Sequence, residues 1–180
     1  MDDEIEMEMY IDYIELDKQE ISLFMTNDLD FVFDHTEKPI IHKLQNPKEE
    51  ILLHYTKPVK ELIIVVVNKD ERSDTYDFKK IINLDIRLNN IKIETPNDEI
   101  YFKLLQPYFH NRNSNLKNIY MYSFGFDPDN SQPTGSYNFG NLKNKTLTIE
   151  IDKNYLNIIT PYVYIYANTN NVLKVSEGQA

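Results

Sequence analysis

The sequence predicts an all-β domain of the sandwich, barrel or jelly-roll kind. Three observations carry this. Short runs of alternating apolar and polar residues recur along the chain, as strands with one wet face do. Asn, Asp and Pro clusters separate these runs at short intervals. Only Lys18–Met25 and Asn97–Gln106 read as helices. The 180 residues fit one domain, 1–180, with a core large enough to need no staple. No segment repeats at a fixed period, and no linker divides the chain.

Each element has its own warrant. Glu4 to Tyr13 places Ile5, Met7, Met9, Ile11 and Tyr13 on one face and Glu4, Glu6, Glu8 and Asp12 on the other. A period of two predicts a half-buried strand there. Asp17 and Glu20 have capping-box spacing, so a helix is expected from Lys18 to about Met25. Strands are expected at Leu29–Asp34, Ile40–Leu44 and Ile51–Tyr55. Glu61–Asn68 contains Leu62-Ile63-Ile64-Val65-Val66-Val67, apolar on both faces, and reads as a central strand. Ile81–Leu88 alternates and leads through the turn signal Asn89-Asn90 to Ile91–Ile93. Pro107 is expected to end the Asn97–Gln106 helix. Ile119–Phe124, Leu147–Ile151, Tyr162–Tyr166 and Val172–Val175 complete the strands. Asn68–Asp77, His110–Lys117 and Asp127–Leu142 are the long polar loops.

Charge is unevenly placed. The net charge is −10, with 29 acids against 19 bases. Residues 1–30 hold eleven acids and a single base, Lys18, which accounts for the whole excess. The remaining 150 residues are balanced. An acidic leading segment on a neutral body does not fit a nucleic-acid binder, which shows a basic face. With 41% hydrophobic residues the chain is not globally disordered. It has no Cys, hence no disulfide framework and no Cys-based metal site. The longest apolar run, Leu62–Val67, is far short of the roughly 20 residues of a spanning helix.

Catalytic signals are thin. The four histidines, His35, His42, His54 and His110, show no metal-ligand spacing. There is no nucleophile elbow, P-loop or dinucleotide fingerprint. Four Gly in all leave little for a phosphate-cradling loop. Acid pairs such as Glu49-Glu50 carry no information among 29 acids. Asn144-Lys145-Thr146 is a sequon, but no signal peptide precedes it. The expectation is a protein that is not an enzyme and has neither cofactor nor metal.

Two loop-to-strand junctions stand out. In Pro58-Val59-Lys60-Glu61-Leu62-Ile63, the proline cannot donate to a ladder and belongs at the strand start. In Tyr122-Ser123-Phe124-Gly125-Phe126-Asp127-Pro128 and onward to Gln132-Pro133-Thr134-Gly135-Ser136-Tyr137-Asn138-Phe139, Pro133 and Gly135 sit where a type I turn prefers them. Asn138 can bond its own backbone and lock the loop. Ordinary turn chemistry explains each junction alone.

Together they resemble the major capsid proteins of nucleocytoplasmic large DNA viruses. Pro58–Ile63 is similar to that family's P-V-K-E-L-hydrophobic stretch, and Tyr122–Phe139 to its Y-S-F-A-L-x-P-x-x-x-Q-P-S-G-x-x-N-F, with Gly125, Phe126 and Thr134 as departures. Tyr101-Phe102-Lys103-Leu104-Leu105-Gln106-Pro107-Tyr108 resembles its Y-F-x-x-V-Q-P-Y. Tyr10–Asp17 and Tyr166–Val175 resemble its D-Y-I-Y-L-D and Y-A-x-N-Y-N-V-L-R-I segments. The family-signature positions here are Pro58, Val59, Lys60, Glu61, Leu62, Gln106, Pro107, Tyr108, Tyr122, Ser123, Phe124, Pro128, Gln132, Pro133, Gly135, Asn138 and Phe139.

The resemblance implies a single jelly-roll β-sandwich with one or two short helices in its connections. It corresponds to the C-terminal half of a double jelly-roll protein, and residues 1–9 form an acidic leading segment near the junction with the absent half. It implies a structural role in the capsid of a large icosahedral double-stranded DNA virus, acting through capsomer interfaces. The expected partners are two further copies in a trimeric capsomer, or a chain supplying the first jelly roll, together with other capsid proteins. Nucleic acid and membrane insertion are not expected. The expected location is the virion capsid, assembled in the host cytoplasm. Two alternatives stay open: a minor capsid or scaffold protein with a diverged jelly roll, and a carbohydrate-binding jelly-roll module.

Overall fold

The computed structural model describes residues 8–68, 78–93, 98–110, 117–130 and 132–176. The expected loop at Asn68–Asp77 and the middle of the one at His110–Lys117 lie mostly outside these. The chain divides into two units, residues 1–31 with 172–180, and residues 32–171.

In the first unit, helix α1 (Lys18–Thr26) starts as its sequence dictates. The Asp17 carboxylate accepts the Gln19 and Glu20 N–H groups at 2.8 Å, and Glu20 accepts the Asp17 N–H at 3.1 Å. That reciprocal box satisfies orphan donors of the first turn. The helix buries none of its residues. Ahead of it, residues 8–16 are exposed and form no strand. The alternation of Glu4–Tyr13 is therefore not realised as a strand over its described part. Period two marks a possible face, but a strand also needs a neighbour to bond.

The second unit holds the core. The strands are β1 (Leu29–Thr36), β2 (Ile40–Lys43), β3 (Lys48–Leu52), β4 (Pro58–Asn68), β5 (Ile81–Leu88), β6 (Ile91–Lys92), β7 (Tyr120–Ser123), β8 (Tyr137–Asn138), β9 (Lys145–Ile151) and β10 (Pro161–Val175). One sheet runs β1-β10-β4-β7, with β2 also on β10 and β8 also on β4; the other runs β3-β9-β5-β6. The chain passes between sheets at β2–β3, β3–β4, β4–β5, β6–β7, β8–β9 and β9–β10. Neighbours within a sheet are thus mostly distant in sequence, the wrapping of a jelly roll.

Alternation decides which side chains go inside. In β9, Leu147, Ile149 and Ile151 are buried, and Thr146, Thr148 and Glu150 face out half-exposed. Leu84 and Ile86 of β5 lie against the same interior as Leu62, Ile64 and Val66 of β4 and Val163 and Ile165 of β10. Each such Leu or Ile adds about 1.5–3 kcal/mol on burial. The β5–β6 hairpin closes through Asn89 (φ 50°) and Asn90 (φ 66°). Both central residues at positive φ make the two-residue loop that matches strand twist.

Several expected boundaries move, β4 and β9 starting earlier, at Pro58 and Lys145. β3 begins at Lys48 rather than Ile51, because its pairing with β9 (Lys48 opposite Glu150) extends over the polar Glu49-Glu50. The two expected C-terminal strands are one strand, β10, since Asn168–Asn171 keep the ladder despite their polarity. Pro107 does not end its helix. A π-helical stretch, Tyr101–Leu105, runs into helix α2 (Gln106–Phe109), in which Pro107 lies in the first turn. The wider turn accommodates a ring that would collide with the carbonyl four residues back. A last short helix, α3, covers Tyr155–Ile158.

Two core phenols tie strands together. Tyr55 Oη donates to the Ile165 carbonyl and accepts the Ile40 N–H at 3.4 Å, and Tyr120 Oη accepts the Ile81 N–H at 2.9 Å. Burial pushes both phenols up to about 12, against about 10 in an unfolded chain. Below the unfolded value both states keep the proton and stability is intact. As pH rises through the folded value, the buried phenols must ionise and stability is lost. Denaturant unfolding from pH 9 to 12.5 is expected to lose stability mainly between about 10 and 12. Ultraviolet titration should show Tyr55 and Tyr120 among the late-ionising tyrosines; unfolding that begins well below pH 10 would contradict this.

Candidate functional site

The two sequence junctions meet on one edge of β4. Pro58 opens the strand opposite Asn138, and Val59 lies opposite Tyr137. Further along the same edge, Glu61 and Leu62 pair with Ser123 and Tyr122 of β7. The other edge pairs with β10, and the register shifts between Asn168 and Thr169. Residues sixty or more positions apart are therefore neighbours across the ladder.

This end of β4 buries two charges. Lys60 is 1% exposed and Glu61 is fully buried. Lys60 Nζ lies 2.6 Å from Asp34 Oδ1 of β1. Glu61 Oε1 accepts from Asn168 Nδ2, and Asn168 Oδ1 accepts from Thr36 Oγ1 at 2.8 Å. The buried Thr169 hydroxyl donates to the His35 carbonyl at 3.0 Å. Charges removed from water persist only where such partners compensate them. Side chains of β1, β4 and β10 thereby fix one another where the ladder bulges.

The loop after β7 is closed on the same strand. The Lys60 carbonyl accepts the Phe124 N–H at 2.7 Å and the Gly125 N–H at 3.2 Å. Ser123 Oγ donates to the Gly125 carbonyl at 2.7 Å. Gln106 Oε1 accepts the Ser123 N–H at 3.0 Å, and its Nε2 donates to Tyr101 Oη at 2.8 Å. Thr134 Oγ1 takes the Asp127 N–H and returns a bond to the Asp127 carbonyl. The expected type I turn at Gln132–Gly135 is absent: residues 133–136 hold no hydrogen-bonded turn. Backbone contact closes the loop instead. A Cβ on Gly125 would sit 2.7 Å from the Gly135 carbonyl oxygen, and Gly135 itself has φ +140°. Asn138 does lock its segment, accepting the Gly140 N–H at 3.0 Å.

Aromatic rings fill the space beneath. Phe124 meets Tyr122, Tyr137 and Phe139 at ring-centroid distances of 4.9, 5.8 and 5.4 Å, and Tyr122 reaches Phe102 at 6.2 Å. Edge-to-face rings add to the energy of their burial. Of the signature residues, Val59, Lys60, Glu61, Leu62, Gln106, Pro107, Ser123, Pro128 and Phe139 are buried. Pro58, Tyr122 and Phe124 are intermediate. Tyr108, Gln132, Pro133, Gly135 and Asn138 are exposed.

Sequence reasoning missed four contributors: Asp34, Thr134, Lys145 and Asn168. Lys145 is 7% exposed and donates to the Tyr55 and Phe139 carbonyls, each at 2.9 Å. In the sequence it falls within the Asn144-Lys145-Thr146 sequon, between the expected loop and the expected Leu147–Ile151 strand. Starting the Leu147 strand two residues earlier would have put Lys145 on the face of Leu147 and Ile149. The chemistry of this arrangement is mechanical, since its polar groups engage one another and fix a loop. Among the described residues no group of three or more His, Asp or Glu is placed to hold a metal. Among the described residues, no helix is long and apolar enough to cross a membrane.

Residues 20–180 match the family model of the large eukaryotic DNA virus major capsid protein. The chain belongs to that family. Among curated major capsid proteins, it is similar to that of Chrysochromulina ericina virus, 31% identical over 99 residues, covering 54% of this chain and 17% of the relative. It is 27% identical to that of Pyramimonas orientalis virus over an alignment of 198 positions, covering 94% of this chain and 46% of the relative. The fold is similar to the PBCV-1 virus capsid chain, with TM-score 0.72 at 18% identity, covering 91% of this chain and 53% of that one. The Faustovirus major capsid protein gives TM-score 0.66 at 10% identity, covering 82% and 34%. The chain thus spans about half, or less, of each relative's length. These likenesses establish the major capsid protein family and its jelly-roll fold.

Two predictions follow from the geometry. Gly125→Ala drives a Cβ into backbone that cannot yield, and is expected to cost about 1–3 kcal/mol in denaturant unfolding. Asp34→Ala leaves the Lys60 ammonium buried without this carboxylate and is expected to cost about 3 kcal/mol. Lys60→Met leaves Asp34, whose side chain is 54% exposed, free to take up water, and should cost under about 1 kcal/mol or stabilise. The reverse order in unfolding midpoints would show that this contact does not hold the lysine.

Proposed function

We propose that this chain is a building block of the capsid shell of a large DNA virus, and that its work is done by surfaces rather than by a reaction. The observation that carries the reading is the family match across residues 20–180 together with a jelly roll whose signature segments interlock on β4. In this reading residues 1–180 form one jelly-roll unit led by an acidic segment. Its signature residues act by holding the wall and its end loops rigid. It joins either two further copies or a chain carrying another jelly roll, within a capsomer of the virion, after assembly in the host cytoplasm. A double-layer β-sandwich suits this work, because stiff sheets carry the load and end loops make contacts. The same match supports a capsid role over a carbohydrate-binding module.

Quantitative mass spectrometry of purified particles of the encoding virus tests the reading. Peptides of this chain are expected at a copy number in proportion to the shell. Their absence from particles, with presence in infected cells, would overturn it. A few copies per particle would shift the role to a minor capsid component.

A further inference from the structure

Where the β5–β6 hairpin of one sheet faces β7, β8 and their loop in the other, there is an open crevice of about 310 Å³. Tyr122, Phe124 and Tyr137 form one wall, and Leu88, Ile91 and Ile93 the other. Apolar walls ordinarily close on each other, because interiors pack as densely as organic crystals. Here backbone bonds hold each wall in its own place. The Lys60 carbonyl accepts the Phe124 N–H at 2.7 Å and Tyr137 pairs with Val59, so the ring wall is fixed to β4. Across the crevice, the Asn89 N–H donates to the Asn144 carbonyl at 2.6 Å, and Asn89 Oδ1 accepts the Lys143 N–H at 2.9 Å. The hairpin is thereby tied to the residues before β9 and does not fold onto the rings. Ile91 is left 73% exposed and Tyr137 45%.

From this crevice we infer a binding site for a small aromatic carboxylate, about two fused rings in size. Size, rings and charge each select that class. The volume is about twice the roughly 150 Å³ of a cavity that takes one benzene. It also lies at the small end of ligand sites, which run from roughly 300 to 1,000 Å³. The three rings already meet one another, Phe124 being 4.9 Å from Tyr122 and 5.8 Å from Tyr137 between centroids. A planar guest extends that cluster through the same offset and edge-to-face contacts. Charge sets the remaining feature. Lys92 is the charged residue of the lining and no carboxylate lies beside it there. Among the described residues its side chain forms no ion pair. A lysine beside an apolar wall attracts an anion and repels a cation, and the low polarity of the wall strengthens both effects. The site goes beyond the capsid reading and does not depend on it.

Titration calorimetry of the full chain with 2-naphthoate tests this, with neutral 2-naphthalenemethanol and the aliphatic anion decanoate for comparison. Ile91→Glu sets a carboxylate at the mouth, Lys92→Gln removes the positive charge, and Tyr108→Ala alters an exposed ring outside the crevice. Circular dichroism confirms that each variant is folded. One saturable naphthoate site per chain is expected. Ile91→Glu should weaken it about tenfold or more, Lys92→Gln about two- to fivefold, and Tyr108→Ala not at all. 2-Naphthalenemethanol should bind about as weakly as naphthoate binds the Lys92→Gln chain. No saturable binding up to about 10 mM naphthoate would overturn the site, since a ligand of this size in a formed pocket reaches about 1 mM or tighter. Binding that neither Ile91→Glu nor Lys92→Gln weakens would overturn its location. Decanoate or 2-naphthalenemethanol binding as tightly as naphthoate would overturn the ligand class. Each of these failures leaves the capsid reading to particle composition.

Discussion

A central strand cannot tolerate an unpaired edge. β4 is eleven residues long, and most of its side chains are buried. Every N–H and C=O along it must find a partner inside the protein. β10 supplies one edge. The other edge is shared by two short strands, β7 and β8, which are consecutive in the chain. The loop between them must leave β4 after Ser123 and return at Tyr137. Its shape is set by that requirement before any of its own preferences act.

The glycines show how tightly the constraint binds. Of the chain's four glycines, Gly125 and Gly135 lie in this loop and Gly140 just after β8. Cβ atoms at Gly125 and Gly140 would fall within 2.7 Å of backbone oxygens. Such contacts cannot be relieved by turning a side chain. The polar groups follow the same logic. Lys145 and Asn138 each bind backbone of a segment that has left regular pairing, and Gln106 binds the last residue of β7, Ser123, where the loop departs. They replace the ladder bonds that the loop gives up.

Much of the fold was legible in the sequence because the signals were local. The Asp17–Glu20 box, the Asn89-Asn90 turn and the alternation in β5 and β9 each depend on residues a few positions apart. The failures were non-local. Glu4–Tyr13 has the alternation of a strand, but alternation cannot report whether a partner edge is available. Asn168–Asn171 look like a loop, yet β4 and β1 hold them in a strand. Asp34 and Asn168 belong to the buried polar cluster only because β1 and β10 lie beside β4. No spacing in the sequence places them there. The resemblance located the site better than patterning could. It marks Pro58–Leu62 and Tyr122–Phe139 together, and pairing across β4 is the physical reason that those two segments belong together.

The signature residues divide by what the fold asks of them. Lys60, Glu61, Gln106, Ser123 and Phe139 are buried and engaged, so the architecture of one chain accounts for them. Tyr108 is different, for the sandwich would close without its ring. The burial of Gln106 and Pro107 aims the next turn outward, and the π-helical stretch before them lets the helix continue through the proline. His110 then ties the helix end to the Phe126 backbone. The same interactions that lock the loop to β4 therefore hold an apolar surface in a fixed orientation. Rigidity at the end of β4 and exposure at Tyr108 are in this way two consequences of one arrangement.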